Sequence, residues 1–326
     1  MEVLLIGGGQ LGSRHLQGIS KAALTTKIVV MDPSETSLDL CKQRLSEIGH
    51  DPLSKRFEFH TSLNTIKNKS FDLLISATTA KFRMVGLKAS LERFDIKHAL
   101  LEKVLFQSEE ELEEAGALLS NKNCLGTVNC PRRSYPFYKR SDLLDEFRSA
   151  PIHVLVDGGD WGMACNSIHF LDLVSFWKGS VPTIGSEALL EKRMLESKRP
   201  GNWEVAGVLE FQWDDGSTLV LNSRKDTISP QVITVKSKIA TNIFEESLGL
   251  HRKIIMDTGW KIETEAIKIP MQSELSQGIV EYLEKNGSTG LTDYSESSVI
   301  HGIFLKTLNN HFSQVFGKKL NSLNIT

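Results

Sequence analysis

An apolar strand that runs directly into a glycine-rich turn is the feature that most constrains the fold of this chain. The first twelve residues read Met-Glu-Val-Leu-Leu-Ile-Gly-Gly-Gly-Gln-Leu-Gly, which spaces Gly7, Gly9 and Gly12 as G-x-G-x-x-G. In that spacing the first glycine permits a tight turn, the second lets backbone approach a pyrophosphate, and the third lets the following helix pack on the strand. The pattern predicts a strand–turn–helix unit that binds a dinucleotide.

A second apolar strand, Lys27–Met31, strengthens this interpretation. It ends at Asp32, about 20 residues beyond the last glycine, where a carboxylate reaches the hydroxyls of an adenosine ribose. An acidic side chain there repels a 2′-phosphate, so the sequence favours NAD over NADP. Lys55, Arg56 or Arg14 could offset this repulsion from outside the motif, which keeps NADP as an alternative.

Length and charge bound the remaining possibilities. The chain has 326 residues, more than one hydrophobic core usually holds, so we expect two domains. Its formal net charge of −2 gives no field for nucleic acid or an anionic membrane, and we expect a small-molecule partner. Because no apolar run reaches the roughly 20 residues of a membrane span and the start lacks a basic segment, we predict a cytoplasmic protein with neither leader nor anchor.

Strand-like and helix-like segments alternate as far as residue 130. This alternation predicts a doubly wound parallel sheet with helices on both faces, a Rossmann domain of residues 1–130. The predicted helices after Asp32 are Ser34–Ile48, Lys81–Arg93 and Ser108–Ser120, and the predicted strands are Phe57–Phe59, Phe71–Ala77, His98–Leu101 and Cys124–Asn129.

The pattern changes from Pro151 onward to longer, alternating strands separated by turns. The predicted strands include Glu204–Trp213, Thr218–Asn222 and Gln231–Ile239. They predict an α+β domain of residues 131–326 with a mostly antiparallel sheet, for substrate binding and oligomerisation. An open sheet of this kind leaves one face that needs cover, which favours self-association.

One charged pair is placed to act on a ligand. Glu102 and Lys103 follow a buried strand directly, at the carboxyl edge where doubly wound sheets bind ligands. A lysine there can hold a substrate hydroxyl or carbonyl oxygen and offset charge during proton transfer. A solvated strand end is the alternative interpretation of the same pair.

A second candidate group lies on a helix predicted to begin near Asn166. Helical spacing puts Cys165, His169 and Asp172 on one side, so an imidazole and a carboxylate could lie together. That arrangement suits proton exchange with an alcohol, although a lone histidine on a half-buried helix is more often structural.

The cysteine pattern does not indicate a metal site. Cys41, Cys124, Cys130 and Cys165 form neither Cys-x-x-Cys pairs nor zinc-finger spacing, so we expect free thiols. No second histidine or carboxylate near His169 completes a three-ligand set, and we predict no metal.

Taken together, these residues resemble the Gfo/Idh/MocA oxidoreductases nearly from end to end. The matching segments are Gly7 to His15 for the opening G-x-G-x-x-G-x-x-H, Ser76-Ala-Thr-Thr79, Glu102-Lys103 for Glu-Lys-Pro, Asn129, Arg132-Arg133, His169-x-x-Asp172, and Asp293–Ser297 with His301.

The resemblance implies an NAD(P)-dependent oxidoreductase that acts on a sugar or polyol. It implies that Lys103 holds the reacting hydroxyl, that His169 exchanges its proton, and that C4 of nicotinamide takes the hydride. It also implies a homodimer or homotetramer formed through the C-terminal sheet. The candidate cofactor-binding residues are Gly7, Gly9, Gln10, Leu11, Gly12, Arg14, Asp32, Ser76, Thr78 and Glu102.

The chain departs from the pattern of the family at two positions. Val104 stands where proline usually follows the lysine, often with an unusual backbone that orients it. Cys165 stands where many members carry an aspartate four residues before the histidine. Because a thiol cannot orient an imidazole as a carboxylate does, Asp172, Asp157 or Asp160 would have to take that role.

The sequence gives one indication of the substrate. A basic stretch contains Lys192-Arg193 and Lys198-Arg199, and together with Arg132, Arg133 and Lys139 it could bind a carboxylate or phosphate; a charged surface loop is the alternative. The segment from Ser197 to Val205 is similar to relatives in bacterial surface-sugar and nonulosonic-acid pathways, which suggests an acidic or nucleotide-linked sugar. The candidate catalytic residues are Lys103, His169 and Asp172, and the candidate substrate-binding residues are Lys103, Asn129, Arg132, Cys165, His169 and Arg199.

Three functions fit the sequence. The first is a sugar dehydrogenase or reductase that exchanges its cofactor freely. The second is an enzyme that retains NAD and cycles it, as in a dehydration, an epimerisation or a sugar-to-sugar hydride exchange. The third is a non-catalytic NAD-binding sensor or scaffold, which would suit the missing proline and aspartate.

Overall fold

The computed structural model describes residues 1–225 and 227–326, which fold into two compact units. The first unit comprises Met1–Phe106, Glu110–Asn129 and Pro270–Ser298, and the second comprises Gln107–Glu109, Cys130–Ile269 and Val299–Thr326. The sequence-based division placed everything after residue 130 in the second domain, whereas the segment Pro270–Ser298 belongs to the first unit.

The sheet of the first unit has seven strands. Six are parallel in the order β6-β5-β4-β1-β2-β3, and β17 pairs antiparallel with β6 at the edge. This confirms the predicted doubly wound sheet. With numbering along the chain, these strands are β1 Glu2–Ile6, β2 Lys27–Met31, β3 Phe57–His60, β4 Ser70–Ser76, β5 Asp95–Leu101, β6 Leu125–Val128 and β17 Thr292–Asp293.

The helices of the first unit are α1 Gln10–Ile19, α2 Glu35–Glu47, α3 Ala80–Arg93, α4 Glu109–Asn121 and α7 Gln272–Asn286, and α8 Tyr294–Phe316 begins there. Helix α7 joins this unit because its apolar side packs into the same core as Leu16 and Ile19 of α1. The two helices approach closely at Gly18, where a Cβ would lie 2.3 Å from the carbonyl oxygen of Ser273. Amphipathic spacing in α7 predicts a buried side but not which core buries it.

The sheet of the second unit has eight strands in the order β16-β15-β14-β13-β7-β12-β11-β8. Neighbouring strands are antiparallel except for the parallel pair β7 and β12, which confirms the mostly antiparallel sheet. The strands are β7 His153–Gly158, β8 Ile184–Leu190, β11 Gly207–Gln212, β12 Thr218–Ser223, β13 Val232–Lys236, β14 Ala240–Glu245, β15 Leu250–Ile255 and β16 Lys261–Ala266.

The second unit also contains two whole helices, a short hairpin and the part of α8 from Val299 onward. The helices are α5 Ser141–Ser149 and α6 Met163–Lys178, and the hairpin pairs β9 Leu195–Glu196 with β10 Trp203–Glu204. The strand predicted for Glu204–Trp213 is interrupted in the structure: β10 ends at Glu204, and β11 begins at Gly207, which has φ +104°. Helix α6 begins three residues before the predicted start at Asn166.

Across the ranges 1–225 and 227–326, no helix combines the length and the apolar character needed to cross a membrane.

Candidate active site

The glycine turn between β1 and α1 is shaped for a close approach by a ligand. Gly7 has φ +91°, and a Cβ on Gly12 would lie 1.7 Å from the Gly7 carbonyl oxygen, so both positions exclude larger residues. A Cβ on Gly9 would have no heavy atom within 4 Å. Gly9 therefore faces open space at the N-terminus of α1, as a pyrophosphate-binding turn requires.

Asp32 lies beside this turn. Its Oδ2 accepts a hydrogen bond from the backbone N–H of Gly8 at 2.7 Å, and its Oδ1 accepts one from Ser34 at 2.8 Å. These bonds fix the carboxylate at the end of β2. A carboxylate there can accept bonds from ribose hydroxyls and repels a phosphate.

Arg44 of α2 is a site residue that the sequence analysis missed. Its buried guanidinium donates to the Gln10 carbonyl oxygen at 2.6 Å and also bonds the side chains of Gln10 and Ser13. It therefore holds the first turn of α1, which contains Gln10 and Leu11. Arg14, also on α1, is exposed and donates a hydrogen bond to the side chain of Gln17.

Polar atoms without protein partners lie at the ends of two strands. Ser76 ends β4, Thr78 follows it, and Asn129 follows β6. Within the described part of the chain, the Oγ of Ser76, the Oγ1 of Thr78 and the Oδ1 of Asn129 are buried without a hydrogen-bond partner. Buried polar atoms almost always have partners, so these three point to a ligand. They fit the polar groups of a dinucleotide bound across the carboxyl edge of the sheet.

Glu102, which directly precedes Lys103, lies at the centre of a buried network. Its Oε1 accepts a bond from the Asn129 amide at 2.5 Å and lies 2.8 Å from the Nε2 of His15. The Nδ1 of His15 lies 2.9 Å from the Ser276 hydroxyl of α7. Burial raises the pKa of Glu102, but the bonds to His15 and Asn129 and the charge of Arg83 outweigh it and hold the pKa below its ordinary value. Glu102 is therefore a carboxylate that supports the strand end.

Lys103 follows this network at the end of β5 and is half-buried. The peptide bond between Lys103 and Val104 is cis, and the side chain of Val104 is fully buried. The chain thus has a non-prolyl cis bond at the position where the resemblance leads one to expect proline.

In the second unit, α6 carries the predicted trio. Cys165 and His169 are half-buried, and Asp172 is fully buried. Arg133 binds the Asp172 carboxylate in bidentate fashion, with its Nε 2.9 Å from Oδ2 and its Nη2 2.8 Å from Oδ1. This ion pair fixes Asp172 on α6. Asp157 likewise accepts a bond from Arg224 at 2.9 Å.

Glu204 is a second residue that the sequence analysis missed. It is buried, and its carboxylate accepts bonds from the backbone N–H groups of Ala164 at 2.7 Å and Cys165 at 3.3 Å. Burial raises the pKa of this carboxyl, while those bonds and a further one from the side chain of Cys165 oppose the rise. Glu204 therefore brings an acidic group to the first turn of α6, although residue 165 is a cysteine.

The predicted substrate-binding arginines differ in environment. Arg132 is mostly buried and forms a bidentate pair with Glu246 at 3.0 and 2.8 Å, and its guanidinium lies 4.4 Å from the centre of the Phe170 ring. A substrate anion at Arg132 would have to share that guanidinium with Glu246. Arg199 is exposed in the turn before β10.

Over residues 1–225 and 227–326, the structure contains no group of three or more His, Cys, Asp or Glu side chains arranged to hold a metal ion.

Comparison with known proteins identifies the architecture. No family model and no curated protein matches the chain. Among solved structures, one similar protein is UDP-N-acetylglucosamine 3-dehydrogenase GnnA from Acidithiobacillus ferrooxidans. The alignment covers 94% of this chain and 96% of the GnnA chain, with a TM-score of 0.71 and 13% sequence identity. An oxidoreductase from Agrobacterium radiobacter in complex with NAD+, L-tartaric acid and magnesium matches 98% of each chain, with a TM-score of 0.72 and 12% identity. The chain has the fold of these oxidoreductases.

The same fold also occurs in a regulator. A super-repressor mutant of Gal80p from Saccharomyces cerevisiae matches 98% of this chain over 97% of its own, with a TM-score of 0.75 and 12% identity. The fold expected from the Gfo/Idh/MocA resemblance is confirmed. Because regulators share the fold of the oxidoreductases, the function has to be argued from the site.

The Glu102 network gives a prediction for stability. We expect Glu102→Gln to lower the free energy of unfolding by about 2 kcal/mol at neutral pH, because the hydrogen bonds to a buried charged group are lost. The folded pKa of Glu102 is depressed, so its contribution exists above the unfolded value of about 4.3 and disappears as pH falls through the folded value. Thermal unfolding of both proteins from pH 7 to pH 3 should therefore converge at low pH. Exposed Glu110→Gln is the control, and a gap that stays constant down to pH 3 would contradict the assignment.

Proposed function

We propose that the protein is an NAD(P)-dependent oxidoreductase that transfers a hydride between nicotinamide and a hydroxyl or carbonyl carbon of a sugar derivative. The observation that carries the proposal is the set of partnerless buried atoms on Ser76, Thr78 and Asn129, at the ends of β4 and β6. These strands flank β5, which ends just before Lys103. Polar atoms that lack hydrogen-bond partners therefore lie at the ends of the strands on either side of β5, and Lys103, a residue suited to carbonyl chemistry, follows β5 itself.

The residues present fit the cofactor. The glycine turn and the first turn of α1 would hold the pyrophosphate, and Asp32 would hold the adenosine ribose and favour NAD. Ser76 and Thr78 would bond polar groups further along the dinucleotide. When bound, nicotinamide supplies an acceptor or donor of hydride at C4.

Two side chains would act on the substrate. The ammonium group of Lys103 would hold the reacting oxygen and stabilise negative charge that develops on it. His169 would take the hydroxyl proton in the oxidising direction and return it in the reducing direction. Asp172 would act by fixing α6 through Arg133.

We propose an acidic or nucleotide-linked sugar as the substrate. The exposed Arg199 in the basic stretch supports this class, and the fold is shared with a UDP-N-acetylglucosamine dehydrogenase. We expect Arg199→Ala to raise the KM for such a sugar roughly 10-fold, as loss of one exposed charge-assisted bond predicts, and to leave kcat unchanged. Steady-state assays on acidic, nucleotide-linked and neutral sugars measure this. Turnover of neutral polyols alone, with no effect of Arg199→Ala, would refute the proposed class.

A non-catalytic sensor or scaffold is the second candidate, and the TM-score of 0.75 with Gal80p is the observation that favours it. An enzyme that retains and cycles NAD is the other alternative. Denaturation of the purified protein separates the two enzyme candidates, because only the enzyme that retains NAD should release cofactor. The sensor differs from both enzymes because its function should not require the side chain of Lys103.

We also propose that the protein self-associates through the open face of its eight-stranded sheet. Val220, Leu155, Thr234 and Ile243 stand in register across four neighbouring strands on that face, and Leu155 is 41% exposed. A second copy would cover this row, in which three of the four side chains are apolar. Light scattering should report a dimer or tetramer that Leu155→Asp converts to a monomer, whereas a monomeric wild-type protein would overturn the proposal.

A further inference from the structure

Arg83 of α3 has a position that its sequence context does not suggest. The side chain is 1% exposed although it stands in a helix with charged residues on its surface. Its Nη1 donates to the carbonyl oxygens of Val104 and Leu105, the latter at 2.6 Å, and its Nη2 donates to that of Thr78. One buried guanidinium therefore bonds three backbone carbonyls.

These carbonyls belong to two segments of the candidate site. Val104 and Leu105 directly follow Lys103, and Thr78 carries one of the partnerless buried hydroxyls. Arg83 thus joins the segment after β5 to the segment after β4. A planar guanidinium with several fixed donors can make this bridge, and the single ammonium group of a lysine cannot reproduce its geometry.

The buried charge of Arg83 is compensated by its surroundings. A buried cation is costly unless hydrogen bonds and an opposite charge compensate it. Here the carbonyl oxygens accept its hydrogen bonds, and the charge of Arg83 helps to lower the pKa of the buried carboxyl of Glu102. The charge of Arg83 therefore acts on the residue that precedes Lys103.

We propose that Arg83 is a positioning residue for Lys103, which sets the location of the lysine ammonium group relative to the bound dinucleotide. This inference rests on the proposed function for its catalytic consequence. Arg83 would touch neither substrate nor cofactor, and it would act through the backbone carbonyls that follow Lys103 and through that of Thr78.

Kinetics of Arg83→Lys and Arg83→Ala provide the test. We expect kcat to fall roughly 100-fold in both, the loss typical of a misplaced catalytic group, with the Kd for NADH within about 3-fold of wild type. Millimolar guanidinium should restore at least part of the kcat of Arg83→Ala, because the ion refills the vacated position. Arg93→Ala is the matched control: Arg93 lies on the same helix and also donates to two carbonyls, those of Asn64 and Ile66, but is exposed.

A second readout separates this inference from the proposed function. The rate at which an amine-reactive reagent labels Lys103, followed by mass spectrometry, should change several-fold in Arg83→Ala, return toward wild type with guanidinium, and stay unchanged in Arg93→Ala. That result supports the positioning role even if no substrate is turned over. Unchanged labelling in Arg83→Ala, or a parallel loss of kcat, NADH affinity and thermal stability without rescue, would overturn it.

Discussion

Replacing Lys103 by methionine is expected to lower kcat roughly 1,000-fold and to leave the affinity for NADH within a factor of about three. Methionine keeps most of the volume of the side chain and removes its charge and donors. Lys103 is a half-buried residue that directly follows the fixed carboxylate of Glu102, and in the proposed function its ammonium group holds the substrate oxygen. The change thus removes transition-state stabilisation and spares the glycine turn and Asp32, which would bind the dinucleotide.

Lys97→Met is the matched control for this experiment. Lys97 lies on β5, the strand that precedes Lys103, and its side chain is 72% exposed and pairs with Asp72, so its loss should alter neither kcat nor NADH binding. Retained turnover in Lys103→Met would show that the catalytic assignment is wrong. A wild-type protein that binds NADH, turns over no sugar and keeps its cellular function when Lys103 is replaced would favour the sensor.

Gly9→Ala is expected to weaken NADH binding roughly 30-fold, about 2 kcal/mol, without lowering the thermal stability of the protein in the absence of cofactor. The added methyl group meets no protein atom within 4 Å, and the backbone at Gly9, with φ −63°, accepts alanine. The only group that the methyl displaces is a ligand that needs close approach to the turn. Calorimetric titration and thermal unfolding measure the two effects separately.

Gly12→Ala is the contrasting variant, because its methyl group would lie 1.7 Å from the Gly7 carbonyl oxygen. We expect it to destabilise the protein itself, by about 3 kcal/mol, and to abolish NADH binding as a consequence. If Gly9→Ala bound NADH as tightly as wild type, no phosphate would approach the turn and the cofactor assignment would be incorrect.

The parts of the site that sequence could predict are those fixed by local backbone requirements. Gly7 and Gly12 stand where a Cβ would clash, and Asp32 ends a strand at a fixed distance along the chain from them. Such constraints act between residues that are close in the sequence, so the spacing of these residues along the chain is enough to predict them. The parallel sheet could also be predicted, because helices and strands alternate regularly up to residue 130, whereas the order of its strands could not.

The missed residues have partners that are distant in sequence. Arg83 bonds a carbonyl 22 residues away, Glu204 bonds a backbone amide 40 residues away, and Ser276 lies against His15 from 261 residues away. No periodicity marks such a pair, because each residue alone suits an ordinary helix or strand. The same reason hid the membership of α7 in the first unit, since an amphipathic helix does not specify the core on which it packs.

Binding of the reduced cofactors is the measurement on which the proposed oxidoreductase function depends. Purified protein should be titrated with NADH and, separately, NADPH, and energy transfer from its five tryptophans to nicotinamide should be followed. Cofactor released on denaturation should be measured in the same preparation, to detect retained NAD. We expect tight binding of NADH and much weaker binding of NADPH, because Asp32 would accept hydrogen bonds from the ribose hydroxyls and would repel a 2′-phosphate. Binding of neither dinucleotide, with no cofactor released on denaturation, would contradict the proposed function.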